Sequence, residues 1–80
     1  MNAYTLKEKK DTKELHLFKG KMTPKGCTSK STSICEKMQK SENAGNVFSC
    51  ADEDTARKKC AQIGRKVCGI CVSHLYATYD

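Results

Sequence analysis

Six cysteines and two histidines are the residues of this 80-residue chain best suited to forming covalent or coordinate bonds. The cysteines are Cys27, Cys35, Cys50, Cys60, Cys68 and Cys71. An even count in a short chain is the pattern of a disulfide framework, because cytosolic thiols are kept reduced and secreted ones are oxidised. The expectation is therefore a secreted protein with all six cysteines in disulfides. One cluster has metal-ligand residue types instead: Cys68-x2-Cys71-x2-His74, with Cys60 upstream, offers four S or N donors, the number tetrahedral zinc takes. On an extended strand, positions 68 and 71 would face opposite sides, and there is only one C-x2-C pair, so neither metal nor cofactor is expected. His16 and His74 are the residues that acid–base cleavage of RNA would use, with a lysine to stabilise the transition state. No G-x-S-x-G, P-loop or H-E-x-x-H pattern accompanies them, and the expectation is binding without catalysis.

Charge and apolar content bound the function classes further. Fifteen Lys and Arg against nine acids give a formal charge of +6, which favours an anionic surface as partner, such as a membrane, nucleic acid or an acidic glycan. The cations are dispersed, and Tyr4, Phe18, Phe48, Tyr76 and Tyr79 lack the spacing of a base-stacking platform, so no specific nucleic acid is expected. The strongest partner-binding candidate is Arg57, Lys58, Arg65 and Lys66, on and just after the clearest helix. Leu, Ile, Val and Phe number only four, three, three and two, a thin core for a chain near the lower size limit of a self-stabilising domain. Three disulfides at roughly 2–4 kcal/mol each would match the whole net stability of a typical domain. There is no apolar run of transmembrane length, no signal-length apolar core at the N-terminus and no N-x-S/T acceptor. A monomer is expected.

The elements that would position these residues follow from periodicity. Residues 1–13 carry four Lys with Glu8 and Asp11 around little that is apolar and read as a basic solvated arm, or as a processing site at Lys9-Lys10. Residues 14–80 read as one disulfide-stapled domain. Leu15 and Leu17 share a face of a first strand over residues 14–22. Thr23-Pro24 reads as a helix start, and Cys27, Ser31, Ile34, Cys35 and Met38 form one stripe behind it; a shorter helix from Ser33-x-x-Glu36 competes. Asn43-Ala44-Gly45 predicts a hairpin across residues 37–50. Asp52, Glu53 and Asp54 open a helix that Gly64 closes, with Ala56, Cys60 and Ile63 inward. The β-forming residues from Lys66 to Tyr79 predict a last strand, with a bulge at Gly69. The order is β-α-β-β-α-β, an α+β ferredoxin-like sandwich with two helices on one face of a four-stranded antiparallel sheet.

With Cys35 late in the first helix, Cys50 before the second, Cys60 within it and Cys68 opening the last strand, the chain resembles the ferredoxin-like killer-toxin subunits of smut fungi and related small secreted cysteine-rich fungal effectors. The resemblance spans residues 31–71. It implies a Cys35–Cys50 disulfide, tying helix to sheet. Where family members place C-x-C on the first strand, this chain has no cysteine, and Cys27 and Cys71 are the available substitutes. The resemblance further implies a secreted virulence effector acting on a host partner, with a host or competitor protein as target. The alternatives are a killer or antifungal toxin acting at membranes and an intracellular zinc-binding module.

Overall fold

A computed structural model describes residues 2–77, with the side chains of residues 2–75. Its elements in chain order are β1 (Asn2–Lys9), β2 (Leu15–Thr23), β3 (Gly26–Cys27), a 3-10 turn at Lys40–Glu42, β4 (Asn43–Ala51), α1 (Glu53–Ile63) and α2 (Gly69–Ala77). The four strands form one antiparallel sheet in the order β3-β2-β1-β4. The class is α+β as expected, but the order is strands first and both helices last.

The segment expected to be a solvated arm is instead the sheet's central strand. β1 pairs β2 in register from Asn2↔Lys21 to Glu8↔Leu15, and its other edge pairs β4 with three register shifts. Alternation in Ala3-Tyr4-Thr5-Leu6-Lys7 explains this: Tyr4 and Leu6 point to one face and Ala3, Thr5 and Lys7 to the other, and all five are buried. Lys7 enters the sheet without an opposite charge. Its ammonium lies 5.7 Å from the Phe18 ring centroid and donates to Asn46 Oδ1 at 2.9 Å, so its stem covers apolar surface while its head stays hydrogen-bonded.

Tyr4 and Leu6 of β1 and Leu15 and Leu17 of β2 meet Ala56 and Cys60 of α1 and Cys71 and Leu75 of α2 in the main core, so both helices lie on one face of the sheet. α1 is as the sequence predicts. Asp52 caps it by accepting from the Thr55 N–H at 2.7 Å, and Gly64, at φ 82, ends it with an N–H to the Cys60 carbonyl. The opposite face is covered by the irregular segment 28–39, which buries Met38 and Ser33. That segment approaches β2 so closely that a Cβ on Gly20 would overlap the Thr28 carbonyl.

Three further expectations are corrected. Residues 24–38 form no helix, and the two ends of the run Thr28 to Ser33 spend their hydroxyls on non-helical backbone groups: Thr28 Oγ1 accepts from the Lys21 N–H at 3.1 Å and Ser33 Oγ from the Met38 N–H at 3.2 Å. In place of the expected 37–50 hairpin, the 3-10 turn at Lys40–Glu42 leads into a single strand, β4, that pairs with β1. The expected last strand is α2 over most of its length, with a single parallel bridge at Leu15↔Val67 before it; residues 78–79 of that expectation lie outside the described residues.

The expected cysteine pairing is also replaced. Cys50 bonds Cys27, with Cα atoms 5.5 Å apart, and Cys35, Cys60, Cys68 and Cys71 are free. Since β3 and β4 are the two edge strands, this disulfide curls the sheet and ties edge to edge.

A candidate metal centre at the edge of the second strand

The edge of β2 not used by β1 is covered in two pieces. Toward its end, the Thr28 and Lys30 N–H groups bond the carbonyls of Lys21 and Lys19; near its start, Leu15 bonds Lys66 and Cys68. Between the pieces, the Ile34 N–H reaches the Leu17 carbonyl at 2.8 Å and delivers the next residue, Cys35, to the same place. The Cys68 N–H bonds the Leu15 carbonyl at 2.7 Å, and the Cys68 carbonyl accepts the first helical bond from Val72, which makes Cys68 the cap of α2 and puts Cys71 in its first turn. His16 lies on β2 itself. Three elements remote in sequence thus converge on one point.

The converging atoms are one imidazole nitrogen and three sulfurs. Ligand atoms of His16, Cys35, Cys68 and Cys71 all lie within 4.8 Å of one another. His16 Nδ1 is 3.2 Å from Cys35 Sγ and 3.9 Å from Cys71 Sγ. Zn–N near 2.0–2.1 Å and Zn–S near 2.3 Å require tetrahedral N–S edges of about 3.6 Å, and the two distances bracket that value. A disulfide would consume two of the three sulfurs and leave the third beside an imidazole. A tetrahedral cation uses all four groups.

The surroundings suit deprotonated sulfur at one corner and a neutral thiol or metal at another. Burial pushes the Cys35 thiol up, but hydrogen bonds from the Ser33 hydroxyl, the Lys37 N–H and the neighbouring thiols outweigh it and leave the group below its ordinary value. The turn that aims the Lys37 N–H at this sulfur has Glu36 at φ 64, a left-handed conformation, and is closed by the Glu36 N–H to the Ser33 carbonyl. Cys71, fully buried, is pushed up to about 12 by desolvation. Without a cation that thiol stays protonated; a bound cation would replace the proton. The α2 N-terminus adds positive potential at both Cys68 and Cys71.

His16 supplies a second mark of a ligand. Its ring is buried, and Nε2 has no hydrogen-bond partner among the described residues. The Glu14 carboxylate is 3.9 Å from that nitrogen. A histidine binding metal through Nδ1 carries its proton on Nε2, where a carboxylate orients the ring. Desolvation lowers the His16 pKa, ahead of the opposing effect of Glu14, so the neutral ligand form prevails at neutral pH.

Sequence reasoning weighed half of this cluster as metal ligands and set it aside for disulfides. Cys68 and Cys71 are as the C-x2-C spacing suggested, but Cys60 and His74 do not join them. Cys60 is buried in α1, where desolvation raises its pKa, and His74 is exposed on α2. Cys35 and His16 take their places. The candidate binding patch is likewise dispersed. Arg57 is buried, donating to Glu53 at 2.9 Å and to the Leu75 carbonyl at 2.8 Å, which ties α1 to α2; Lys58 pairs with Asp54 at 3.2 Å. Arg65 and Lys66 are exposed beside Glu8 and Glu14 around one cavity.

No family model, curated protein or solved structure matches this chain. Among the described residues, no helix is long and apolar enough to cross a membrane.

Proposed function

We propose that the chain is a small binding module whose fold is organised by one zinc ion held by His16, Cys35, Cys68 and Cys71. The single observation that carries this reading is the convergence of four ligand atoms, one nitrogen and three sulfurs, within 4.8 Å. Four protein ligands fill a tetrahedral zinc and leave no position for substrate, so the ion is structural and the module acts by binding. Its role is mechanical. It fastens β2, the irregular segment and α2 together at a point where a thin apolar core gives little hold. Zinc suits the mixed sulfur and imidazole donor set better than magnesium or calcium, which take oxygen. The test is metal content of the purified protein, followed by cobalt substitution. The expected result is about one zinc per chain and an intense thiolate-to-cobalt absorption that weakens in Cys35→Ser, which leaves two of the three sulfurs.

A second reading is favoured by the Cys27–Cys50 disulfide, a bond that persists in oxidising compartments. On this reading the chain is a secreted, cysteine-rich protein, a fungal effector acting on a host partner or a toxin acting at membranes, as the resemblance implies. It predicts that the four remaining cysteines pair oxidatively when the protein is exported. Thiol counting on exported material separates the two readings.

A further inference from the structure

From Leu15 to Cys35 the chain carries four lysines and no acid. In the fold, this stretch is β2, β3 and the segment returning along β2, so the charge is gathered rather than strung out. The Lys30 N–H bonds the Lys19 carbonyl at 3.0 Å, which puts Lys30 beside Lys19 across the edge of β2. Two adjoining cavities share these lysines. One, of about 370 Å³, is lined by Asn2, Lys19, Gly20, Lys21, Thr28, Ser29 and Lys30. The other, of about 520 Å³, continues past Lys19 and Lys30 along Ser31, Thr32 and Ser33 to Ile34, Glu36 and His74.

We infer that this cleft binds the phosphodiester backbone of nucleic acid, without reading sequence. Lys19 and Lys21 lie two positions apart on one face of β2, about 6.8 Å along the strand, close to the separation of successive phosphates in an extended polynucleotide. Lys30 lines the same cavities beside Lys19, and the hydroxyls of Ser29, Ser31 and Thr32 supply neutral donors near the charges, the groups that commonly contact phosphate oxygens. Apart from Gly20 and Ile34, the described residues on the cleft's lining are of polar or charged type, whereas a membrane surface requires large apolar side chains such as Trp, Phe or Leu beside the cations. Among the described residues, Glu36 is the one carboxylate on the cleft's lining, at the end away from Lys21. The inference rests on the metal reading in one respect: ligation of Cys35 fixes the segment that carries Lys30.

The test is fluorescence anisotropy of the purified chain with a labelled oligonucleotide of about twelve nucleotides, single-stranded and duplex, across a salt series. Replacing Lys19, Lys21 and Lys30 with Gln is expected to weaken binding uniformly across sequences and to reduce the salt slope by about 2 to 3, at roughly 0.7–0.9 for each phosphate no longer neutralised. The same charge removed elsewhere, with Lys58, Arg65 and Lys66 replaced by Gln, is expected to leave most of that slope in place. Lys30→Glu alone, at an exposed position, covers the case in which the triple variant fails to fold, and is expected to reduce the slope by at least the roughly 0.7–0.9 of one phosphate. Equal losses from both triple variants, tighter binding to anionic vesicles or to polyglutamate than to the oligonucleotide, or no oligonucleotide binding would overturn the inference. Binding with the expected losses in protein that contains no zinc would leave the cleft standing and remove the metal reading instead.

Discussion

Replacing Cys35 by Ser and, separately, Cys60 by Ser separates a metal ligand from a buried thiol of the same chain. Both substitutions swap sulfur for oxygen, both positions pack on the core, and only Cys35 belongs to the tetrad. With free zinc at about a thousandfold above Kd, binding stabilises the fold by about 4.1 kcal/mol. Loss of a ligand should weaken binding at least as much as loss of a supporting hydrogen bond, which costs roughly 10–100-fold. At a hundredfold, the stabilisation falls to about 1.4 kcal/mol, a difference of about 2.7 kcal/mol. For a domain of this size, that difference lowers Tm by roughly 11 to 22 °C. Cys60 is 3 % exposed, and burying a hydroxyl there costs about 1–3 kcal/mol whether or not metal is present. The assay is thermal unfolding of wild type and both variants in zinc and in chelator. The expected pattern is a large Cys35→Ser deficit that nearly vanishes in chelator, beside a Cys60→Ser deficit unchanged by it. A Cys35→Ser deficit of the same size in both solutions would refute the reasoning, since it would make Cys35 a packing residue only.

Further outcomes follow from the same geometry. Replacing Cys27 and Cys50 together by Ser should cost about 3 kcal/mol, from loop closure over their separation of 23 residues, while zinc content stays unchanged; urea unfolding with metal analysis checks both halves. Glu14→Gln should weaken zinc binding by less than the roughly tenfold low end of the supporting-shell range, because the carboxylate is 58 % exposed and, at 3.9 Å from Nε2, beyond hydrogen-bond length; chelator competition reads this out. In metal-free protein, His16 has a folded pKa lowered below 6.5 and Cys71 one raised from 9.0 to about 12. The lowered histidine removes stability as pH falls below 6.5, the lowered Cys35 thiol adds it as pH rises toward 9, and the raised Cys71 thiol removes it above 9, so denaturant midpoints should rise toward pH 9 and Cys71 should pull them down beyond it; an identical profile above pH 9 in Cys71→Ala would contradict the burial of Cys71. Gly20→Ala should destabilise by about 1–3 kcal/mol, because its Cβ overlaps the Thr28 carbonyl, and should displace Lys30 from the cleft; the unfolding midpoint and the oligonucleotide salt slope report the two effects.

Where local signals and tertiary packing agree, the sequence is readable. Asp52 at the cap, Gly64 at the end and Ala56 and Cys60 inward all describe α1 correctly, because each acts within a turn or two. β2 is readable from Leu15 and Leu17 for the same reason. β1 is not, since Lys7 and Lys9 look solvated until Phe18 and Asn46 receive the Lys7 head and Glu42 lies 3.6 Å from Lys9 Nζ. α2 reads as a strand because Val67, Ile70 and Val72 are β-formers. The stripe Val67, Cys68, Cys71, Val72 and Leu75 has helical spacing, and burial of Cys71 and Leu75 against β2 and α1 overrides propensity. The candidate site is half legible. A C-x2-C pair announces itself, but on a helix rather than a strand it can turn both sulfurs to one point. His16 and Cys35 join it through backbone bonds of Leu15 and Leu17, contacts that no spacing along the chain encodes.

The most direct test of the central claim is the native mass of the purified chain, compared with its mass after denaturation in chelator and after reduction. A zinc-organised module with one disulfide should lose the mass of one zinc ion on denaturation in chelator, expose four thiols, those of Cys35, Cys60, Cys68 and Cys71, and gain only two hydrogens on reduction of Cys27–Cys50. A native chain free of metal that exposes no thiol and gains six hydrogens on reduction, one for each cysteine of the sequence, would contradict the account.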